Sequence, residues 1–170
     1  MASGDTLAIL YPQHNNPPAA AYATRDTRNG HPVLNFDGAT DEEAVFSSIL
    51  PRRYAGGGLT VNLWVGCASA TTGTMRWQAD IERAGIADGS GLDIDSDGFT
   101  GTFESNGVSA PAATGQFAVC AITITSGAQM DSLAVGEPFR LKIRRDADGT
   151  SGTDNITTDC QLLAIEIQET

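Results

Sequence analysis

The sequence predicts an all-β domain: an antiparallel β-sandwich of the jelly-roll or Greek-key kind with about eight strands. Three observations predict it. Short apolar segments alternate with polar residues at period two. Nineteen glycines supply the turns such a fold needs, and helical periodicity is absent outside a short stretch around Phe99–Ser105. At 170 residues the chain has the size of one domain, large enough to bury roughly 70% of its unfolded surface without help from disulfides or metals.

The first thirty residues differ from the rest. Leu7–Leu10 reads as a short strand, and the segment from Tyr11 to Ala23 carries Pro12, Pro17 and Pro18 beside Asn15 and Asn16. Prolines lack the amide that strand pairing uses, so residues 1–23 are expected to form an extended N-terminal arm and residues 24–170 a single sandwich domain. Arms of this kind lie on a neighbour, which makes Tyr11, Pro12, Pro17, Pro18 and Tyr22 candidate interface residues.

Asn29-Gly30 is the strongest short hairpin signal and precedes a strand over Pro32–Phe36, closed by Asp37-Gly38. Further strands are expected at Glu43–Leu50, ended by Pro51, and at Leu59–Cys67, after the Gly56-Gly57-Gly58 turn. In Thr74–Arg83, Met75, Trp77, Ala79 and Ile81 alternate with Arg76, Gln78, Asp80 and Glu82. A long loop from Ala84 to Thr114 follows, then strands at Gln116–Thr125, Phe139–Arg145 and Cys160–Gln168. In the last, Leu163, Ile165 and Ile167 are expected on one face, with Leu162, Ala164, Glu166 and Gln168 on the other.

Ten basic against twenty-one acidic residues give a net charge of −11, with no Lys/Arg cluster to offset it, which excludes direct nucleic-acid binding as a reading. Lys142 is the only lysine, and arginine's planar fork suits fixed carboxylate pairing at contacts. Cys67, Cys120 and Cys160 lie in apolar stretches, are odd in number and lack C-x-x-C spacing, so they read as buried free thiols of a reducing compartment. Neither a signal peptide nor a membrane span is expected, and folding in a cytoplasm is.

The sharpest chemical motif is Asp93-Ile-Asp95-Ser-Asp97-Gly98 with Glu104 at the twelfth position, which satisfies the EF-hand calcium-loop pattern. Its flanks are rich in glycine and alanine where an EF-hand has helices, and its eighth position is Thr100. An acidic loop whose side chains cap a short turn explains the same residues without calcium. No other cofactor is expected.

His14 and His31 have no metal-ligand partners at useful spacing, and no serine sits in G-x-S-x-G. The pairs Glu42/Glu43 and Asp146/Asp148 invite a glycosidase reading but lie in turn-like segments, where solvated loop charge accounts for them. No catalytic residue is assigned, and the chain reads as a non-enzyme.

Trp64, Trp77 and Tyr54 are candidates for a sugar-stacking platform. Trp77 shares a face with Met75 and Ile81, which places it in the core, whereas Trp64 points opposite Leu63 and Val65, toward an outer face that suits an interface.

Three strings, Asp26–Asp37, Leu50–Leu59 and Ala128–Asp146, together with the pattern Gly136-x-x-Phe139-x-Leu-x-Ile-x-Arg, resemble small β-sandwich proteins of tailed bacteriophages, the capsid cement or decoration proteins. The resemblance implies a jelly-roll subunit that trimerises and binds the major capsid protein across adjacent capsomers. It implies a place on the virion surface after assembly in the bacterial cytoplasm. It transfers no catalytic residue. The alternative is a host-recognition or carbohydrate-binding module of a head or tail fibre, using aromatic residues and the Ala84–Thr114 loop.

Overall fold

The computed structural model describes residues 4–84 and 93–170. Among the described residues, ten strands build two antiparallel sheets: β1 (Thr6–Leu10), β2 (Thr24–Arg28), β3 (His31–Phe36), β4 (Glu42–Ile49), β5 (Leu59–Cys67), β6 (Thr74–Arg83), β7 (Glu104–Ser109), β8 (Ala118–Ile124), β9 (Pro138–Arg145) and β10 (Cys160–Glu169). The larger sheet runs β2-β3-β10-β5-β8, with β1 also on β10, and the smaller runs β4-β9-β6-β7. From β3 onward the chain changes sheet at every connection except that between β6 and β7, which is the jelly-roll habit the alternating pattern predicts.

Period-two alternation explains the core. Leu59, Val61, Leu63 and Val65 of β5 and Cys120, Ile122 and Ile124 of β8 face Met75, Trp77, Ala79 and Ile81 of β6 and Phe139, Leu141 and Ile143 of β9, all within one buried cluster. Trp77 is fully buried and meets Phe36 edge to face, ring centroids 4.9 Å apart. Asn29 and Gly30 both take positive φ, 48° and 79°, the type I′ turn that matches strand twist, and Arg28 pairs with His31 across it.

The structure corrects three expectations. The N-terminal segment is not a free arm: β1 pairs with β10 and buries Leu7 and Leu10. The chain then crosses to the edge of the smaller sheet, where the Asn15 carboxamide oxygen accepts the Val45 amide and the Asn16 amide donates to Val45. Ala23 donates to Glu43, and Glu43 back to Ala21. This strap covers the open edge of β4, an edge that otherwise presents unpaired amides and carbonyls. Prolines 17 and 18 sit between its two anchor points, where no ladder amide is required.

Second, β2 and β7 add to the expected strands. The residues of β2 are polar on both faces and almost wholly exposed, so hydrophobic periodicity does not reveal them. The part of the expected long loop at 85–92 lies outside the described residues. Third, the Phe99–Ser105 stretch is not helical; it leads into β7, whose Glu104 pairs with Ala79.

Candidate functional site

The outer face of the smaller sheet is closed by its own side chains. Arg140, Lys142 and Arg144 project from β9 and meet Glu82, Glu43 (3.1 Å) and Asp41 (3.7 Å). Phe99 lies under the Lys142 ammonium at 4.5 Å, and Phe103 under the Arg144 guanidinium at 4.1 Å. Asp80 lies buried below, accepting the Gly101 amide, and burial raises its pKa. The acidic segment thus ends as a cover over a cationic row.

Within that segment, Asp95 donates its amide to the Asp93 carboxylate, and Asp97 returns a carboxylate oxygen to the Asp93 amide. Asp93, Asp95 and Asp97 form a local turn, Glu104 stands in β7, and no helix flanks them among the described residues. Their carboxylates are not brought together as a ligand set.

Among the described residues, three carboxylates do converge, those of Asp41, Asp146 and Asp148, within 4.8 Å of one another. Asp146 is fully buried; both its oxygens already accept bonds from Thr150 and Ser151. Burial alone would raise its pKa, and these bonds outweigh burial and lower it. Arg144 faces Asp41, so turn formation and ion pairing account for the trio. The glycosidase pairs are likewise engaged: Glu42 accepts the Asp37 amide and Glu43 holds Lys142.

The outer face of the larger sheet is different. β1 and β3 lie end to end along the same edge of β10: β3 pairs with Cys160–Leu162 and β1 with Ile165–Gln168. Residues 163 and 164 fall in the gap. On the opposite edge the register with β5 slips between Leu162 and Ala164, a β-bulge in which two residues oppose Trp64. The slip changes the facing predicted for β10. Leu162, Ile165 and Ile167 enter the core, while Leu163 joins Ala164 on the outer surface.

Leu163 is therefore the centre of a groove. On one side, Ile9, Tyr11, Trp64 and Glu166 surround it in a depression of about 380 Å³. On another, Pro12, His14, His31 and Pro32 enclose about 530 Å³ with Tyr11. A third depression, of about 400 Å³, runs past Val33 to Phe117 and Arg28. Leu163 lines all three. Each has the size of a small-ligand site.

The walls are set by backbone constraints. Pro12 opens the 3₁₀ turn Pro12–His14, and the His14 Nδ1 accepts the Tyr11 amide, which seats the two rings edge to face at 5.9 Å. Trp64 stands half-buried between Ala164 and Val119. At Gly66, an added Cβ would sit 2.7 Å from the Gln116 carbonyl, so only glycine lets the segment carrying Phe117 close over β5. Polar groups border the apolar floor: Gln161 accepts from Arg28 at 2.7 Å and donates to Asn35, Asn35 donates to Asp26, and Asn62 donates to Gln168 at 3.0 Å. Thr6 donates to Glu166.

Of the residues singled out in the sequence, Tyr11, Pro12 and Trp64 meet at this groove. Pro17, Pro18 and Tyr22 do not; they belong to the strap over β4, where Tyr22 bridges to Glu43. Tyr54 packs against the core and donates to the Gly57 carbonyl, and Trp77 is interior, so neither joins a sugar platform with Trp64. Leu163, Ile9, Phe117 and His31 also line the groove; alternation could not reveal Leu163, whose outward turn depends on the bulge and whose position depends on the β1–β3 gap.

No protein-family model matches the chain, and no curated protein matches it in sequence. Solved structures do match in fold. A carbohydrate-binding module of Cellvibrio mixtus lichenase 5A, in complex with cellotriose, aligns over 98% of this chain and 99% of its own at a TM-score of 0.54 and 10% identity. A carbohydrate-binding module from a Zobellia galactanivorans laminarinase aligns over 97% and 100% at 0.52 and 11% identity. A xylan-binding domain from Paenibacillus barcinonensis aligns over 99% and 97% at 0.50 and 11% identity. At such identities the likeness is one of fold.

Proposed function

We propose that the chain is a non-catalytic glycan-binding module, and that its binding surface is the groove around Leu163 on the outer face of the larger sheet. The observation that carries this reading is the pairing of Tyr11, 48% exposed, with the half-buried Trp64 across an apolar floor bordered by polar side chains. Sugar rings present an apolar face of C–H groups to an aromatic ring and hydroxyls around their rim. A floor of Leu163 and Ala164 with aromatic walls serves the first, while Glu166, Gln13 and the imidazoles of His14 and His31 border the groove where they can serve the second. Three adjoining depressions that share Leu163 suit a chain of sugars better than a single one. The fold shared with three carbohydrate-binding domains supports the same reading.

The test is a glycan array followed by titration calorimetry on the best ligand. Trp64→Ala and Tyr11→Ala are each expected to weaken binding about tenfold, near 1.4 kcal/mol, with the circular dichroism spectrum unchanged. Absence of binding to any glycan at millimolar concentration overturns the proposal.

The cement-protein reading is the second proposal, and the exposed apolar residues Ile9 and Val119, 52% and 47% exposed beside the aromatic pair, favour it, since a protein partner buries such residues more readily than a sugar does. The strings that carry the phage resemblance have structural work here: Arg53 donates to β1 carbonyls, and Ala55 donates to Glu169. In the third string, Glu137 accepts from Arg83 and from Ala134. Copurification with intact phage heads, lost on Val119→Asp, is the outcome this reading expects; protein absent from purified heads removes it.

A further inference from the structure

Antiparallel strands alternate between wide residue pairs, which exchange backbone hydrogen bonds, and narrow pairs, which exchange none and bring Cα atoms to about 4.5 Å. The Ala68 amide donates to the Asp159 carbonyl at 2.9 Å, which makes 68 and 159 a wide pair. Cys67 and Cys160, the next pair along the same ladder, are directly opposed and therefore narrow. Both side chains point into the core, at 1% and 0% exposure. A disulfide needs Cα atoms roughly 4.4–6.8 Å apart and Cβ atoms roughly 3.5–4.5 Å apart. A narrow cross-strand pair meets the first condition and comes close to the second.

We propose that Cys67 and Cys160 are the two halves of a cross-strand disulfide that closes under oxidising conditions and leaves Cys120 as a free thiol. The third cysteine is placed apart: it stands on β8 opposite Leu63, four residues along β5 from Cys67, and its sulfur faces the Asn106 carbonyl. The odd number of cysteines therefore divides into a pair and a spectator, a division that spacing along the chain does not show.

Within the pair, the contact between the two sulfurs and the nearby Arg145 guanidinium act on the ionisation of Cys67. A hydrogen bond from Cys160 lowers its pKa against the effect of burial, and the Arg145 guanidinium acts in the same direction. The same contact, together with burial, raises that of Cys160. Burial pushes Cys120 up to about 12, which keeps it protonated and unreactive. The oxidant is a low-molecular-weight disulfide such as oxidised glutathione. The Cys67 thiolate attacks one of its sulfurs, the S–S bond breaks, and one glutathione leaves as a thiolate. Cys160 then loses its proton and attacks the Cys67 sulfur of the mixed disulfide, expelling the second glutathione. Two protein thiols are oxidised and one disulfide is reduced to two thiols. The closed loop, residues 67–160, contains β6, β7, β8 and β9, while the bond itself joins β5 to β10, two neighbouring strands of the larger sheet, so it acts chiefly by restricting the unfolded chain.

The experiment is refolding of the full chain from denaturant in a mixture of oxidised and reduced glutathione, followed by alkylation and peptide mapping without reduction. The expected product carries a Cys67–Cys160 linked peptide and an alkylated Cys120, and melts about 5–10 °C above the reduced form. Cys120→Ser should retain the link and the shift, and Cys160→Ser should lose both. Folded protein treated directly with diamide gives an independent map that does not depend on refolding yield. Three alkylated thiols after both treatments, or a dominant disulfide that includes Cys120, overturns the proposal. Neither result bears on glycan binding, which is read separately at the groove.

Discussion

Arg145 has no solvent exposure, yet its guanidinium makes five hydrogen bonds, two to the Asp154 carboxylate and three to the carbonyls of Asp37, Ile156 and Thr158. A charge so buried is tolerable only because a counter-charge and a full set of acceptors replace water. Lysine keeps the charge but not the planar fork, so Arg145→Lys is expected to lose about 3 kcal/mol or more in urea denaturation. A loss below about 1 kcal/mol would show that the site hydrates instead. The two tryptophans make the same point about position. Trp77 fills the core against Phe36, while Trp64, with the same ring, stands outside because the period-two pattern turns it outward.

At the scale of elements, the N-terminal strand and strap decide most. β1 completes the edge of β10 over Ile165–Gln168 and covers the core with Leu7 and Leu10. Burial of two leucines is worth about 3–6 kcal/mol, a large part of an ordinary domain's stability. Deletion of residues 1–14 is therefore expected to lower the melting temperature by about 10 °C or more, followed by circular dichroism. An unchanged melt would return the segment to the status of a detachable arm. The bulge in β10 matters in the opposite sense. It contributes little to the core, but by admitting one extra outward residue it converts a flat sheet face into a groove with Leu163 at its centre.

For the whole molecule, charge and pH are coupled. Asp37, whose carboxylate accepts the amides of Ala39 and Thr40, has a lowered pKa, and so does Asp146. A carboxylate lowered on folding contributes stability that is present above the unfolded value, about 3.9, and is lost as pH falls through the folded value. Glu42 and Asp80, raised by burial, act with the opposite sign: their ionisation costs stability at neutral pH, and protonation relieves it on mild acidification. Thermal melts are therefore expected to hold or rise slightly from pH 7 to about 5 and to fall steeply between about 4 and 2. With a net charge of −11 and an isoelectric point near 4.3, the solubility minimum falls at the top of that decline. A melting temperature that kept rising below pH 4 would contradict the assignment of Asp37 and Asp146.

Much of the fold was legible from residue order. Alternation in Thr74–Arg83 and Leu59–Cys67 marks both strands to the residue, and Asn29-Gly30 marks the hairpin. Alternation reports which residues share a face within one strand, because side-chain direction is a local property of extended backbone. It is silent on polar edge strands such as β2, and it fails at Leu163, where the extra residue is imposed by a partner strand. The pairing of Cys67 with Cys160, the seating of Tyr11 beside Trp64 and the fastening of the N-terminal segment to β4 join residues far apart in the chain. Only the tertiary structure decides these, since cross-strand register is a relation between segments and no single segment contains it.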